Sequence, residues 1–571
     1  MAGTKKSMET KGHHWTRSSV PEIPVLIFLI LFGIRGLEIA QADDGAAVIN
    51  EANVRGHVRF LADDLLEGRG PGSRGDELTQ LYIASQFETL GLQPAAGEGK
   101  WLQPFPLVGV RTIAPPNVVF KQNDNAVSLK SVEDFMSTIG KPAETAQLQD
   151  AELVFVGYGI EAPEYSWDDY KDVDLTGKVL LMMNNDPASD PDLFEGRRRL
   201  YYGRWDYKYE IAARKGAAGA IIIHTTPSAG YPWQVIQTSW SGEEFELLGN
   251  EGKRLELKGW GSEQGLRDVV AMGGFNLDKL RAQAESKEFR PIPLGISLSI
   301  QLEGVVREQN TANVLGLLPG SDPDLRDEVV IYMAHHDHLG MGVERDLRGD
   351  NIYNGAVDNA TGVAALLTMA KAYSQMDPPP KRSILFAAVG AEEQGLLGSE
   401  FFAENPTLKP GKMAAVINMD GTNIIGRTHD VNVIGYGKSN LDAIVEAVAK
   451  SQKRIVTPDH FPDRGYYYRS DQFSLAKIGV PGVYLHSGIE VVGKPAGWGK
   501  QQLDEWVEKI YHQPSDEYSQ EWNLTGAIQD TRLLYEVGRR IANQADLPAW
   551  TQGDEFEAAR KRAIDSATDA N

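Results

Sequence analysis

From residue 311 onward, short apolar runs alternate with helical stretches, and that alternation constrains the fold more than any other feature of the chain. The runs 328–333, 383–389, 414–417 and 480–485 are separated by residues 361–375, 440–452 and 530–543, which carry apolar positions at helical spacing. The pattern predicts an α/β fold: a mostly parallel or mixed central sheet with helices on both faces. Ahead of it, residues 46–95 read as helical. Apolar positions recur at helical spacing over 54–66, the stretch 68–75 interrupts them, and 77–90 resumes until Gly91-Leu92-Gln93-Pro94 stops the helix. Residues 111–305 change to short apolar runs separated by turns, such as 153–156, 178–181 and 220–223, and predict a β-rich insert. Within it, 208–218 has helical spacing and leads through Gly219 into an Ile run. The expected organisation is thus a helical entry part over 46–110, the insert over 111–305, the α/β domain over 306–545 and a charged, peripheral tail over 546–571.

Residues 1–42 stand apart. Lys5, Lys6, Lys11 and Arg17 precede the apolar run 25–34 (VLIFLILFGI), which is followed by Ala40-Gln41-Ala42. This reads as an export signal peptide cut after Ala42, because the run is only half of the roughly 20 residues a membrane span needs. The expected product acts outside the cytoplasm, periplasmic or secreted, with no stable membrane association. The chain has 57 Lys and Arg against 79 Asp and Glu, a net charge of -22 that repels nucleic acid. It has no cysteine, which removes thiol catalysis, Cys-ligated zinc, iron–sulfur clusters and disulfides together. Any metal must be held by His, Asp and Glu.

Those residue types cluster where strands end, which is where open α/β sheets bind ligands. The first strand runs into His335-His336-Asp337-His338, with His335 the first candidate ligand and Asp337 placed to accept the second ring N–H of a ligating histidine. The next cluster is Gly355-Ala356-Val357-Asp358-Asn359-Ala360-Thr361-Gly362. Asp358 there is either a helix cap, worth ~1 kcal/mol, or a ligand. Strand 383–389 leads to Glu392 and Glu393, adjacent carboxylates in a turn, so that one can bind metal while the other faces substrate. Strand 414–417 delivers Asp420, and His512 comes from a late turn. Carboxylates and imidazoles without thiolates suit Zn2+, Co2+ or Mn2+, and a shared carboxylate can bridge two ions about 3.5–4 Å apart. That layout belongs to a hydrolase, although spacing alone leaves open which carboxylate bridges.

The motifs 334–337 (AHHD), 355–362 (GAVDNATG), Glu392-Glu393, 418–420 (NMD) and 511–516 (YHQPSD) resemble, in order, those of the di-zinc exopeptidases related to secreted bacterial leucine aminopeptidases and to glutamate carboxypeptidase. The resemblance covers about 310–545, with 46–95 also similar. It implies two zinc ions per chain and peptide substrates. It further implies Asp358 as the bridge, His335 with Asp420 on one ion, Glu393 with His512 on the other, Glu392 as general base and Asp337 behind His335. Tyr511 matches a tyrosine that stabilises the oxyanion in some members; Tyr466, Tyr467 and Tyr468 are its rivals. The motifs 157–160 (GYGI), 175–179 (LTGKV) and 215–220 (KGAAGA) resemble a protease-associated domain, an insert that usually lies over or beside the cleft. Where the family often has Ser-Asp-His, this chain has Ser470-Asp471-Gln472, which leaves that position without an assigned role.

The sequence has no His-Glu-x-x-His helix, no Gly-x-Ser-x-Gly elbow and no phosphate loop. A glutaminyl cyclase of the same fold needs only one zinc. The functional expectation is therefore a metallo-aminopeptidase. The alternatives are a carboxypeptidase or dipeptidase, with Arg464 and Arg469 as carboxylate anchors, and a non-catalytic, receptor-like binding protein.

Overall fold

The computed structural model describes residues 45–249, 252–343, 346 and 348–568; the expected signal peptide lies outside them. Among the described residues no helix is long and apolar enough to cross a membrane.

The apolar runs form seven strands of a larger mixed sheet: β1 (Ile292–Leu318), β2 (Val329–His335), β3 (Ser383–Val389), β4 (Met413–Asn418), β5 (Asp430–Ile434), β6 (Ile455–Pro458) and β7 (Gly482–His486). Their spatial order is β1–β3–β2–β4–β7–β5–β6. The pairs β3–β2, β2–β4, β4–β7 and β5–β6 are parallel; β1–β3 and β7–β5 are antiparallel.

Both faces of this sheet are covered, as the unbroken apolar runs require. Along β2, Val330, Tyr332 and Ala334 join one core with the helices Glu51–Leu61, Thr361–Ser374, Leu441–Ser451 and Thr525–Asn543. The alternate residues Val329, Ile331 and Met333 join a second core with Phe402 and Leu475 from helices Leu397–Glu404 and Gln472–Lys477. Each Val, Ile, Met, Leu or Phe so buried contributes roughly 1.5–3 kcal/mol. The entry helices are capped by Asn50 and Ser73, whose side chains accept from Asn53 N and Asp76 N. Gly75 sits inside the second of these helices because a Cβ there would lie 1.7 Å from Leu66 O.

The insert has its own core and sheet. Thr145–Phe155, Val179–Met183, Gly219–His224 and Leu257–Ser262 run parallel in that order, and Phe135–Ile139 pairs antiparallel with the last. Four longer helices join them, Trp205–Arg214, Trp233–Ser239, Glu263–Met272 and Leu277–Ala284, so the insert is less purely β than its sequence reads.

The expected border at 305/306 falls inside β1. Residues 292–303 of that strand pair with Thr145–Phe155, 303–314 with Leu102–Ile113, and 314–318 with β3. One continuous strand therefore belongs to both sheets. The tail forms helix Glu557–Thr568, which docks by Arg560 Nη1 donating to Met413 O at 2.8 Å.

Candidate metal centre

β2, β3 and β4 end side by side, so His335, the Glu392–Glu393 turn and Asp420 emerge together at their carboxyl ends. Asp358 joins them from the start of helix Thr361–Ser374. It does not cap that helix: no side-chain cap bond is made at Ala360, and Asn359 Oδ1 instead accepts from Gly362 N at 3.0 Å and Gly421 N at 2.9 Å. The Asp358 carboxylate is left to face the imidazoles. Its Oδ1 lies 3.2 Å from His335 Nε2 and its Oδ2 3.4 Å from His512 Nε2. Around this divided carboxylate, His335 Nε2 is 3.4 Å from Asp420 Oδ1, and His512 Nε2 is 3.1 Å from Glu393 Oε2. Glu392 stands further off, 4.0 Å from His335 Nε2.

The surrounding residues fix these groups. Asp337 accepts from the backbone N–H groups of Glu392 at 3.0 Å and Glu393 at 3.3 Å, and its Oδ1 is 3.8 Å from His335 Nδ1. Asp516, buried at 1% exposure, accepts from Val357 N and Asp358 N at 3.0 Å each. Arg69, equally buried, donates to His336 O, Asn354 O and Gly355 O at 2.9, 2.6 and 3.0 Å, clamping the loops that carry His335 and Asp358. Ser470 Oγ donates to Asp420 Oδ2 at 2.7 Å. Asn418 Nδ2 donates both to Ser470 Oγ and to Gln472 Oε1, and Gln472 Nε2 donates to Tyr467 O. Gln472 is thus the anchor of a relay that ends on Asp420.

Asp516, Arg69 and Ser470 carry no role in the sequence reading, nor does His338, whose Nδ1 lies 2.6 Å from Glu393 Oε1. The runs 335–338, 470–472 and 511–516 contain three of these four. Arg69 had no local signal.

Burial and mutual repulsion shape the charges. Burial, with Asp420 and Glu393 nearby, lifts the Glu392 carboxyl well above the usual range, and burial pushes Asp337 to about 8. Burial opposes ionisation of Asp358 and Glu393 too, but the imidazoles prevail: Asp358 falls well below the carboxylate range, and Glu393, opposite His512, to about 2. Against the same burial, Glu392, Asp358 and Asp420 hold His335 well above its ordinary value, and Glu393 raises His512 to about 9.

Four carboxyl groups and three imidazoles, His338 included, meet in a buried pocket, a donor set that a bound cation would neutralise. The donors are oxygen and nitrogen only, and His512 Nε2 is buried without a hydrogen bond of its own. The sets His335–Asp358–Asp420, His335–Glu392–Glu393 and His338–Asp358–Glu393 each converge closely enough to hold an ion; His512, outside these three, faces Glu393 at 3.1 Å and Asp358 at 3.4 Å. The donor set fits zinc.

The centre opens into a cavity of about 390 Å3 with an apolar wall that includes Val357, Ile424, Ile489, Leu503 and Trp506. Tyr511 and Arg469 line it, and Arg469 Nη2 donates to Tyr511 Oη at 3.2 Å. Tyr466 also lines the cavity, whereas Tyr467 and Tyr468 are buried in the core shared with the insert.

Residues 313–535 match the sequence profile of Peptidase family M28. The leupeptin-inactivating enzyme 1 of Streptomyces exfoliatus is 26% identical over 264 residues, 45% of this chain and 52% of that one. Aminopeptidase NAALADL1 of Rattus norvegicus is 33% identical over 117 residues, 20% of this chain and 14% of that one. The chain thus spans about half or less of the curated relatives it matches. Among solved structures, the aminopeptidase from Aneurinibacillus sp. strain AM-1 shares the fold, with a TM-score of 0.53 at 19% identity over 88% of this chain and 97% of that one. The mixed sheet and its strand-end cluster thus lie largely within the stretch, residues 313–535, that is similar to peptidase family M28.

Proposed function

We propose that the protein is a metallo-aminopeptidase that removes N-terminal residues from peptides at a centre for two zinc ions. The observation that carries this reading is the Asp358 carboxylate, one oxygen turned to His335 and the other to His512, each imidazole with a further carboxylate, Asp420 or Glu393. His335 with Asp420 would hold one ion and Glu393 with His512 the other, Asp358 serving both. Ions so held supply Lewis acidity that polarises a scissile carbonyl and eases deprotonation of water.

The chain's own groups do the rest. Glu392, in the cavity and not used by the two ion sites so assigned, takes the proton of the attacking water and returns it to the leaving amine. Because Arg469 donates to Tyr511 Oη, the phenol proton stays free for the oxyanion that develops at the carbonyl. The acidic side of the cavity, Asp420 and Glu392, receives the substrate's free ammonium group, and the apolar wall receives its side chain. The charged start and apolar run of residues 1–42 support action outside the cytoplasm, and the glycine-led motifs of the insert support a protease-associated domain.

The test is hydrolysis of reporter peptides with free and blocked N-termini, and of peptides with free and blocked C-termini. Release from free N-termini that falls about 10²–10⁴-fold in Glu392→Gln, and that is lost on chelation and restored by zinc, is the expected result. Turnover that requires a free C-terminus instead would move the reading to a carboxypeptidase or dipeptidase.

A further inference from the structure

The ligands of the candidate centre come from the α/β domain, but one hydrogen bond to them does not. Helix Trp233–Ser239 of the insert ends with Ser239 Oγ 2.8 Å from His512 Nδ1. The contact is part of a wider grip on the segment that carries Tyr511 and His512. Gln234 Nε2 donates to Glu508 O at 3.3 Å, and Gln513 Nε2 donates to Thr238 Oγ1 at 3.4 Å. Just before the helix, the Tyr231 ring lies 5.3 Å from the guanidinium of Arg469, the residue that donates to Tyr511.

His512 needs such support. It lies outside helix and strand, and its φ is +56°, a left-handed backbone that a non-glycine residue adopts at some cost. Its ring is therefore placed by partners more than by regular backbone. When Nε2, turned toward Asp358 and Glu393, is the ligating nitrogen, the one ring proton stands on Nδ1, where the Ser239 hydroxyl oxygen is the acceptor. A histidine that ligates through one nitrogen is oriented, and its tautomer fixed, by the acceptor on the other.

We propose that Ser239 is a positioning residue of the metal centre. By holding His512 in its Nε2-ligating form, it makes the insert set the affinity of one ion, the one held by Glu393 and His512, and not the one held by His335 and Asp420. The inference rests on the two-ion reading above, and its test separates the two.

Zinc-depleted protein is titrated with zinc in competition with a chromophoric chelator, for the wild type, Ser239→Ala and Ser239→Thr. Two ions per wild-type chain are expected, with one weakened about 10–100-fold in Ser239→Ala and the other unchanged. Ser239→Thr, which keeps the hydroxyl, should restore the weakened ion. Equal affinities in Ser239→Ala and the wild type, or an equal loss at both ions, would overturn the role of Ser239 and leave the two-ion reading standing. A wild type that takes up fewer than two ions would overturn both.

Discussion

Asp516 offers the sharpest test of how the centre is held. Its carboxylate, at 1% exposure, accepts two backbone N–H groups, those of Val357 and Asp358, and nothing else described reaches them. A hydrogen bond to a charged group is worth ~1.5–3 kcal/mol, so Asp516→Ala, which orphans both donors, should cost ~3–6 kcal/mol. Asp516→Asn keeps one acceptor oxygen and turns an NH2 group toward the other donor, so about half that loss is expected. The backbone bond from Ala356 N to Asp516 O, at 3.0 Å, survives in both variants. The loss should also reach the metals, because the segment being loosened carries Asp358. A 10–100-fold weaker ion trims the stabilisation gained from bound zinc by ~1.4–2.7 kcal/mol. Urea unfolding of zinc-free and zinc-loaded protein reads both effects. Midpoints should fall in the order wild type, Asn, Ala, with a smaller zinc-dependent gain in the variants. An alanine variant within ~1 kcal/mol of wild type that keeps the full gain from zinc would refute the reasoning, since the two N–H groups would then have other partners.

Two further outcomes follow from single buried positions. His224, at 3% exposure among Tyr231, Trp233 and Trp260, has its pKa lowered by burial to about 4. Below pH ~6.5 the unfolded chain therefore takes up a proton that the folded one refuses, and stability falls by ~1.4 kcal/mol per pH unit down to about pH 4. His224→Phe should reduce the loss between pH 7 and pH 5 by ~2 kcal/mol in urea midpoints, and an unchanged loss would show that the group does not contribute. At Gly362 a Cβ would stand 2.1 Å from Asn359 Oδ1 and 2.6 Å from Met419 O, so Gly362→Ala should cost ~1–3 kcal/mol and lower zinc content together with thermal stability. An unaltered melting temperature would mean that the Asn359 clasp has slack.

What could be read in the chain and what could not divide along a physical line. Strands β2, β3 and β4 were legible because both of their faces are buried, which writes an unbroken apolar run into the sequence. His335, Glu392, Glu393 and Asp420 were legible because each lies within a few residues of such a run. Asp358 was ambiguous: the start of a helix offers a carboxylate both a cap and a ligand role, and only the placement of Asn359 decides between them. Arg69 and Ser239 were illegible because the partners through which they reach the site are 267 or more residues away and neither stands in a motif. Gln472 looked like a departure from a pattern, yet its amide satisfies both Asn418 and Tyr467, which no spacing reveals. The pattern changes at 305/306, but a hydrogen-bonded ladder has no stake in composition, and β1 runs straight through that border.

That shared strand also imposes a timetable on synthesis. The partners of β1 over 292–314 precede it in the chain, so this part of the ladder can close as soon as β1 leaves the ribosome. Its last residues, 314–318, wait for β3, which is not complete until residue 389. At 5–20 residues per second the wait is on the order of 4–14 s. During it Val314 and Leu315, both fully buried in the finished protein, sit on an open edge able to pair with a neighbouring nascent chain. The nascent protein is thus most exposed to mispairing after its insert has folded and before its sheet has closed.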